Sequence, residues 1–215
     1  LNDFQDYPVL AVIFTCNHCP TAQAYEDRLI QMIEEYRPRG VGFVAISPND
    51  PDAVSLSELG YSDINDRLDE MKYRADQKGY NFTYLYDGED QKASIAYGPA
   101  ATPHVFIFDN RRKLRYRGRI DDTENPYLQP RKEDMKEALD ALLEGGPVST
   151  PETKTFGCST KWSWKNEWIQ AEKERWSQEP VSLLELELKD VETLRQNDSD
   201  KWRLINVWAN WCGPC

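Results

Sequence analysis

The chain is short of positive charge, of histidine and of long apolar runs. Its 215 residues carry 26 Lys and Arg against 37 Asp and Glu, a net charge of −11. That balance excludes the phosphate-neutralising surface of a nucleic-acid binder and does not suit an anionic membrane surface. No apolar run approaches the ~20 residues of a membrane-spanning helix. His18 and His104 are the only two histidines, so a histidine-based metal centre has little to draw on. Cysteine is sparse too. Four of the five fall in two Cys-x-x-Cys pairs, Cys16/Cys19 and Cys212/Cys215, and Cys158 stands alone. This is not the spacing of a small disulfide-stapled domain. A structural zinc site needs four convergent ligands, and the two pairs lie far apart in sequence. No metal and no cofactor is expected. A signal-peptide pattern is missing as well. The chain starts at Leu1 and stops at Cys215 inside a motif, so we read it as part of a longer frame, where an absent targeting signal excludes little. A membrane anchor is expected only outside this stretch.

What is present is a globular composition, 40% hydrophobic and 12% aromatic, long enough for one large or two small domains. The organising stretch runs from Pro8 to Pro20. Val9 to Phe14 is an unbroken apolar run rich in branched side chains, the mark of a buried strand. Pro20 suits the first turn of a helix, and Tyr25, Leu29, Met32, Ile33 and Tyr36 follow at helical spacing. Cys16 and Cys19 therefore stand where a strand hands over to a helix N-terminus. Free backbone N–H groups and the positive end of the helix dipole stabilise a thiolate there. The second thiol, one turn on, can attack a mixed disulfide and close the pair.

Further along, Val41 to Ser47 is a second buried strand, parallel to the first through a βαβ connection. A helix is expected from Ile64 to Lys78, with Ile64, Leu68, Met71 and Ala75 on one face and Gly79 as its stop. Phe82 to Tyr86 is a short strand and Gln91 to Tyr97 a short helix. A strand follows Thr102-Pro103 directly, turns at Asn110-Arg111-Arg112 and returns over Lys113 to Ile120, which makes the sheet mixed. Pro130 is expected to open a last helix, ended by Gly145-Gly146. Pro147 to Thr155 reads as a linker. In Trp162 to Trp176, Trp164, Trp168 and Trp176 lie loosely on one helical face and read as a packing helix. From Pro180 the opening design repeats: Val181 to Leu188 is strand-like, Asp190 to Gln196 a short helix, and Leu204 to Trp208 a buried strand running into Cys212/Cys215. The expected domains are 1–160, a connecting helix over 161–178, and the start of a second unit over 179–215.

Trp211-Cys212-Gly213-Pro214-Cys215 after a buried strand is the thioredoxin active-site signature. With Ile205 to Ala209 ahead of it, this end of the chain resembles the TlpA-like membrane-anchored or periplasmic thioredoxins. The first domain resembles the peroxiredoxin-like branch of the AhpC/TSA–redoxin group within the thioredoxin superfamily. Phe14 to Pro20, Ala24 to Leu29, Tyr84 to Asp87, Thr102-Pro103, Tyr116 to Asp122 and Phe156-Gly157-Cys158 carry that resemblance. It implies an α/β fold, a thioredoxin-like mixed sheet flanked by helices, with Thr102-Pro103 as a cis-proline turn facing the Cys pair. A cis X–Pro bond is a minority state that the fold must hold.

The resemblance and the thiol order together point to a thiol–disulfide oxidoreductase. Cys16 is the expected attacking thiolate and Cys19 the resolving thiol. His18 between them is expected to tune the pair, and Cys212 and Cys215 form a second redox site. Substrate proteins with thiols or disulfides and an upstream thiol donor are the expected partners. An extracytoplasmic, periplasmic location follows from the TlpA-like end only, and the first domain also suits the cytoplasm. A rival reading is a peroxidase acting through Cys19-Pro20-Thr21. The Pro and Thr that precede such a cysteine in peroxiredoxins are replaced here by Val12 and Cys16, and the partner Arg is not evident. Without those donors a departing peroxide oxygen lacks stabilisation. A third reading is a metal-binding module using both thiols and His18, suited to Cu(I). Cys158 is read first as a small buried hydrophobe and second as a third reactive thiol.

Overall fold

In chain order the elements are β1 (Val9–Phe14), α1 (Pro20–Tyr36), β2 (Val41–Ser47), α2 (Leu56–Leu59), α3 (Leu68–Lys78), β3 (Thr83–Tyr86), α4 (Lys92–Tyr97), β4 (Ala101–Thr102), β5 (His104–Phe108), β6 (Leu114–Gly118), α5 (Asp134–Leu143), β7 (Cys158–Ser159), α6 (Asn166–Gln178) and α7 (Leu188–Thr193). They come from a computed structural model that describes residues 2–59, 64–125, 127–180, 182, 185–205, 207 and 209.

All six residues of β1 are buried. A strand hidden on both faces needs a partner at each edge and cover on each side. Both are supplied. The main sheet has the order β3-β2-β1-β5-β6. β2 runs parallel to β1, with Val9 opposite Val41, and β5 runs antiparallel, with Phe14 opposite His104. Side chains alternate across a strand, so β1 feeds two cores. Val9, Ala11 and Ile13 pack with Tyr25, Leu29, Met32, Ile33 and Tyr36 of α1 and with Met135, Ala138 and Leu139 of α5. Leu10, Val12 and Phe14 pack with Val44, Ile46 and Phe106, backed by Ala93 and Tyr97 of α4. The result is the expected mixed sheet with helices on both faces.

Several elements differ from the pattern-based expectation. α3 starts at Leu68, not Ile64, and residues 60–63 lie outside the described residues. Its face is half-buried at best: Met71 is buried, but Leu68 is 48% exposed. α5 starts at Asp134 behind Glu133, so Pro130 stays in the preceding loop. The expected linker is instead tied down. Thr153 N–H donates to Arg117 O at 3.1 Å, and Arg117 N–H donates to Pro151 O at 3.0 Å. The strap continues past residue 160, where Thr160 and Lys161 are buried. α6 is present but docks through Ile169, while Trp164, Trp168 and Trp176 are 66%, 65% and 58% exposed. The tryptophans are therefore not its packing face. Among the described residues of 181–188 there is no strand, and α7 occupies Leu188–Thr193. Cys212 and Cys215 lie outside the described residues.

Candidate active site

The site forms where β1 ends. Thr15 N–H makes a last bond to Ile46 O at 3.0 Å. The chain then turns through Cys16, Asn17 and His18 to Cys19, the N-cap of α1, with Pro20 in the first turn. Proline suits that place because the missing N–H has no helical acceptor there anyway. The turn is held by Asp66, in the loop before α3. Asn17 N–H and His18 N–H donate to Asp66 Oδ1 at 2.7 and 3.2 Å. His18 Nδ1 lies 2.6 Å from Asp66 Oδ2, and both side chains are fully buried. Asn49 Nδ2 adds a fourth donor at 2.8 Å. A buried carboxylate with four donors is fully satisfied, and it fixes the backbone between the two cysteines.

Both sulfurs face the Thr102–Pro103 turn, whose peptide is cis. Cys16 Sγ is 3.0 Å from Thr102 Oγ1. Cys19 Sγ is 3.3 Å from Thr102 O, to which its protonated form donates. On the other side of Cys19 sits Cys158, whose backbone N–H donates to Cys19 Sγ at 3.3 Å. The strap delivers it. β7 pairs with β4, Cys158 opposite Thr102. Thr155 Oγ1 donates to Pro103 O and Thr160 Oγ1 to Pro99 O, each at 2.6 Å. Lys161 N–H donates to Asn49 Oδ1 at 2.9 Å. Gly157 is required at this crossing. Its φ is +126°, and a Cβ there would stand 2.0 Å from Thr102 O.

The three thiols are not equivalent. Cys19 is held well below the usual thiol range. The Cys158 and Cys16 thiols do most of this, burial works against it, and the Ala22 and Cys158 amides add to it. Cys16 is pushed well up, by burial first, then by the Cys19 thiol and the Asp66 charge. Cys158 is pushed up, by the Cys19 thiol first and burial second. The Thr102 carbonyl opposes a charge on Cys19, but two thiols, two amides and the helix start outweigh one carbonyl. The balance of causes thus favours a thiolate at Cys19 over one at Cys16, whereas the sequence reading gave Cys16 as the attacking thiolate.

Burial differs as well. Cys16 is 3% and Cys19 0% exposed, whereas Cys158 is half-buried. His18 is next to the thiols, but its hydrogen-bonded nitrogen faces Asp66 and not a sulfur. Its Nε2 is buried with no partner among the described residues. Cys16, His18 and Asp66 each offer one ligand atom, all within 4.8 Å of one another. The Asp66 oxygens are already taken by four donors, so the group is a closed hydrogen-bonded cluster rather than an open ligand set. Cys16, Cys19, Thr102, Pro103 and Cys158 are brought together, as sequence reasoning grouped them. Asp66 and Asn49 were missed, and Gly157 was marked only within the Phe156-Gly157-Cys158 stretch that carries the family resemblance, with no role given. Asp66 was assigned to a helix that starts two residues later, and nothing local marks Asn49.

No curated protein matches the chain. A secreted Mycobacterium tuberculosis disulfide oxidoreductase homologous to E. coli DsbE is 17% identical over 63% of this chain and 82% of its own, with a TM-score of 0.44, too distant to bear on function. A hypothetical protein from Sinorhizobium meliloti 1021 is 33% identical, with 75% of this chain and 83% of that one covered and a TM-score of 0.65. An uncharacterized conserved protein from Geobacillus kaustophilus is 39% identical, with 75% and 81% covered and the same TM-score of 0.65. The AhpC/TSA family model matches residues 1–117. A match over more than half of the chain, on the segment that builds β1, the Cys pair, α1 and the cis-proline turn, makes this chain a member of the AhpC/TSA family.

Proposed function

We propose that the protein is a thiol–disulfide oxidoreductase that cycles Cys16 and Cys19 between dithiol and disulfide, exchanging with thiols or disulfides of partner molecules. One observation carries this reading: two sulfurs at the start of a helix both contact Thr102 of the cis-proline turn. In the reduced state Cys19 is the thiolate and Cys16 the thiol. A low pKa on one member of a pair stabilises the reduced form and makes the disulfide more oxidising. Asp66 fixes the turn so that the two sulfurs stay together. No metal or cofactor is needed for this cycle.

Partners are molecules that bear disulfides or thiols, with an upstream thiol donor when the protein acts as reductant. The resemblance of Ile205 to Cys215 to TlpA-like thioredoxins supports a second redox unit beginning near residue 179 and an extracytoplasmic location. Among the described residues no helix is long and apolar enough to cross a membrane. The test is reduction of insulin by dithiothreitol, followed by turbidity. The wild-type chain is expected to accelerate precipitation, and a chain no faster than buffer sinks the proposal.

Peroxide reduction through Cys19 is a second reading, favoured by the depressed pKa of Cys19 and by Pro20-Thr21 after it. The groups that depress this thiol most are thiols and amides, not a guanidinium. A departing hydroxide would find no cationic donor among them. Rapid peroxide-dependent sulfenic acid at Cys19 would support it.

A further inference from the structure

The reactive pair is closed off. Cys16 and Cys19 are 3% and 0% exposed, so neither offers an outside disulfide an open surface. Cys158 is different. It is half-buried, and its neighbours Gly157 and Ser159 are exposed. Its backbone nitrogen is 3.3 Å from Cys19 Sγ. Its own sulfur is three bonds beyond that nitrogen, within reach of Cys19 by rotation about χ1. The strap that holds it there is anchored on both sides of the residue, at Pro103 O and at Asn49 Oδ1. This placement has no packing purpose that a small apolar residue would not serve equally.

The geometry points to Cys158 as the port of the site: outside disulfides and thiols exchange at Cys158, and a Cys19–Cys158 disulfide carries the exchange to the buried Cys16–Cys19 pair. The inference rests on the proposed cycling of that pair. The substrate class is an accessible disulfide, R–S–S–R, or the corresponding thiol. In the oxidising direction the exchange runs through the minor form in which the Cys158 proton sits on Cys19, and the Cys158 thiolate attacks one sulfur of R–S–S–R. The S–S bond breaks, a Cys158–S–R bond forms, and R–S⁻ leaves. Cys19 gives its proton to that R–S⁻ and attacks the Cys158 sulfur. The Cys19–Cys158 bond forms, and a second R–S⁻ leaves to take a proton from solvent. Cys16 then attacks Cys19. The Cys16–Cys19 bond forms, and Cys158 departs and takes up the Cys16 proton. Two electrons pass from Cys16 and Cys19 to the substrate, which becomes two thiols. In the reverse direction an outside thiolate attacks Cys158 in the Cys19–Cys158 disulfide. It expels Cys19, the thiol of lowest pKa and so the fastest leaving group of the three.

The test uses the full chain, reduced and then mixed with glutathione disulfide, quenched in acid at intervals and mapped by peptide mass. The wild-type chain should end with Cys16 joined to Cys19. Cys16→Ser should accumulate a Cys19–Cys158 link. Cys158→Ala should form the Cys16–Cys19 link at least about ten-fold more slowly, because the direct route is closed. If Cys158→Ala keeps the wild-type rate, or if Cys16→Ser gives glutathione on Cys19 with Cys158 free, the port is overturned and the pair stands. If the wild-type chain never joins Cys16 to Cys19 at any glutathione ratio, the pair itself falls and the port with it. Cys16→Ser leaves the strap intact, so its mapping decides the matter even if Cys158→Ala fails to fold.

Discussion

Val9 to Phe14 and Leu204 to Val207 both lead, as apolar runs, toward a Cys-x-x-Cys, and their surroundings are opposite. The first is buried at every position, with β2 on one edge and β5 on the other. In the second, Leu204, Ile205 and Val207 are 95%, 48% and 86% exposed, and no strand includes any of the described residues there. An apolar run becomes a buried strand where its backbone finds partners and its faces find cover, and the first run has both. The same holds for chemistry. The first Cys pair is made into a site by groups remote in sequence: Asp66, Thr102 and Cys158.

The contrast can be broken most sharply at the thiols. Cys19→Ser should reduce dithiothreitol-driven insulin reduction by about a hundred-fold or more, since it removes the charged sulfur of the cycle. A loss below about two-fold would move the activity to the second pair. Stability is the next test. Ile13→Ala, in the heart of β1, should cost about 2–5 kcal/mol in urea unfolding. Ile205→Ala should cost under about 0.5 kcal/mol, as surface changes do. Equal costs would erase the difference between the two stretches.

Asp66→Asn comes third. It removes the charge that four donors converge on and should cost about 1–3 kcal/mol. It should also lower the Cys16 pKa, because the Asp66 charge helps to push that thiol up. Thiolate ultraviolet absorbance against pH reads this shift, and an unchanged titration would remove Asp66 from the electrostatics of the site.

The smallest expected effect is a pH dependence belonging to the first region alone. His104 lies opposite Phe14, and its Nδ1 accepts Ala100 N–H at 3.2 Å. Burial first, and the Arg117 charge second, lower its pKa to about 4. The unfolded chain keeps an ordinary histidine pKa near ~6.5, so between these values the unfolded state binds more protons. Stability should therefore rise with pH through that window and be lost as pH falls through it. The amplitude is about 1–2 kcal/mol, discounted for solvent around the ring. His104→Gln should flatten the slope. A slope that survives the substitution assigns it to other groups.

Much of the first region was legible in the residues. Branched apolar runs gave β1 and β2, a helical period gave α1, and Pro20 marked its start. Thr102-Pro103 was read as a turn facing the thiols only through family resemblance. What escaped detection depends on distance. The strap over residues 147–161 has loop composition, and its order comes from bonds to Arg117, Pro103, Pro99 and Asn49. Asp66 was hidden because a helical period was extended one turn too far. The Trp-rich helix misled in another way. Its tryptophans suggested a packing face, yet only Ile169 is buried within it. Trp162 and Trp164 stack on each other at 4.7 Å. The lowering of the Cys19 pKa could not be read locally either, since its largest cause is Cys158, 139 positions away.

The central claim is that the buried pair at the head of α1 is a working redox couple. Equilibrating the full chain in graded glutathione buffers and counting the Cys16–Cys19 link by alkylation and peptide mass tests it most directly. The account predicts one two-electron transition, with a potential above the roughly −270 mV of thioredoxin because the Cys19 thiolate stabilises the reduced form. Two thiols that remain open to alkylation at every glutathione ratio would contradict it.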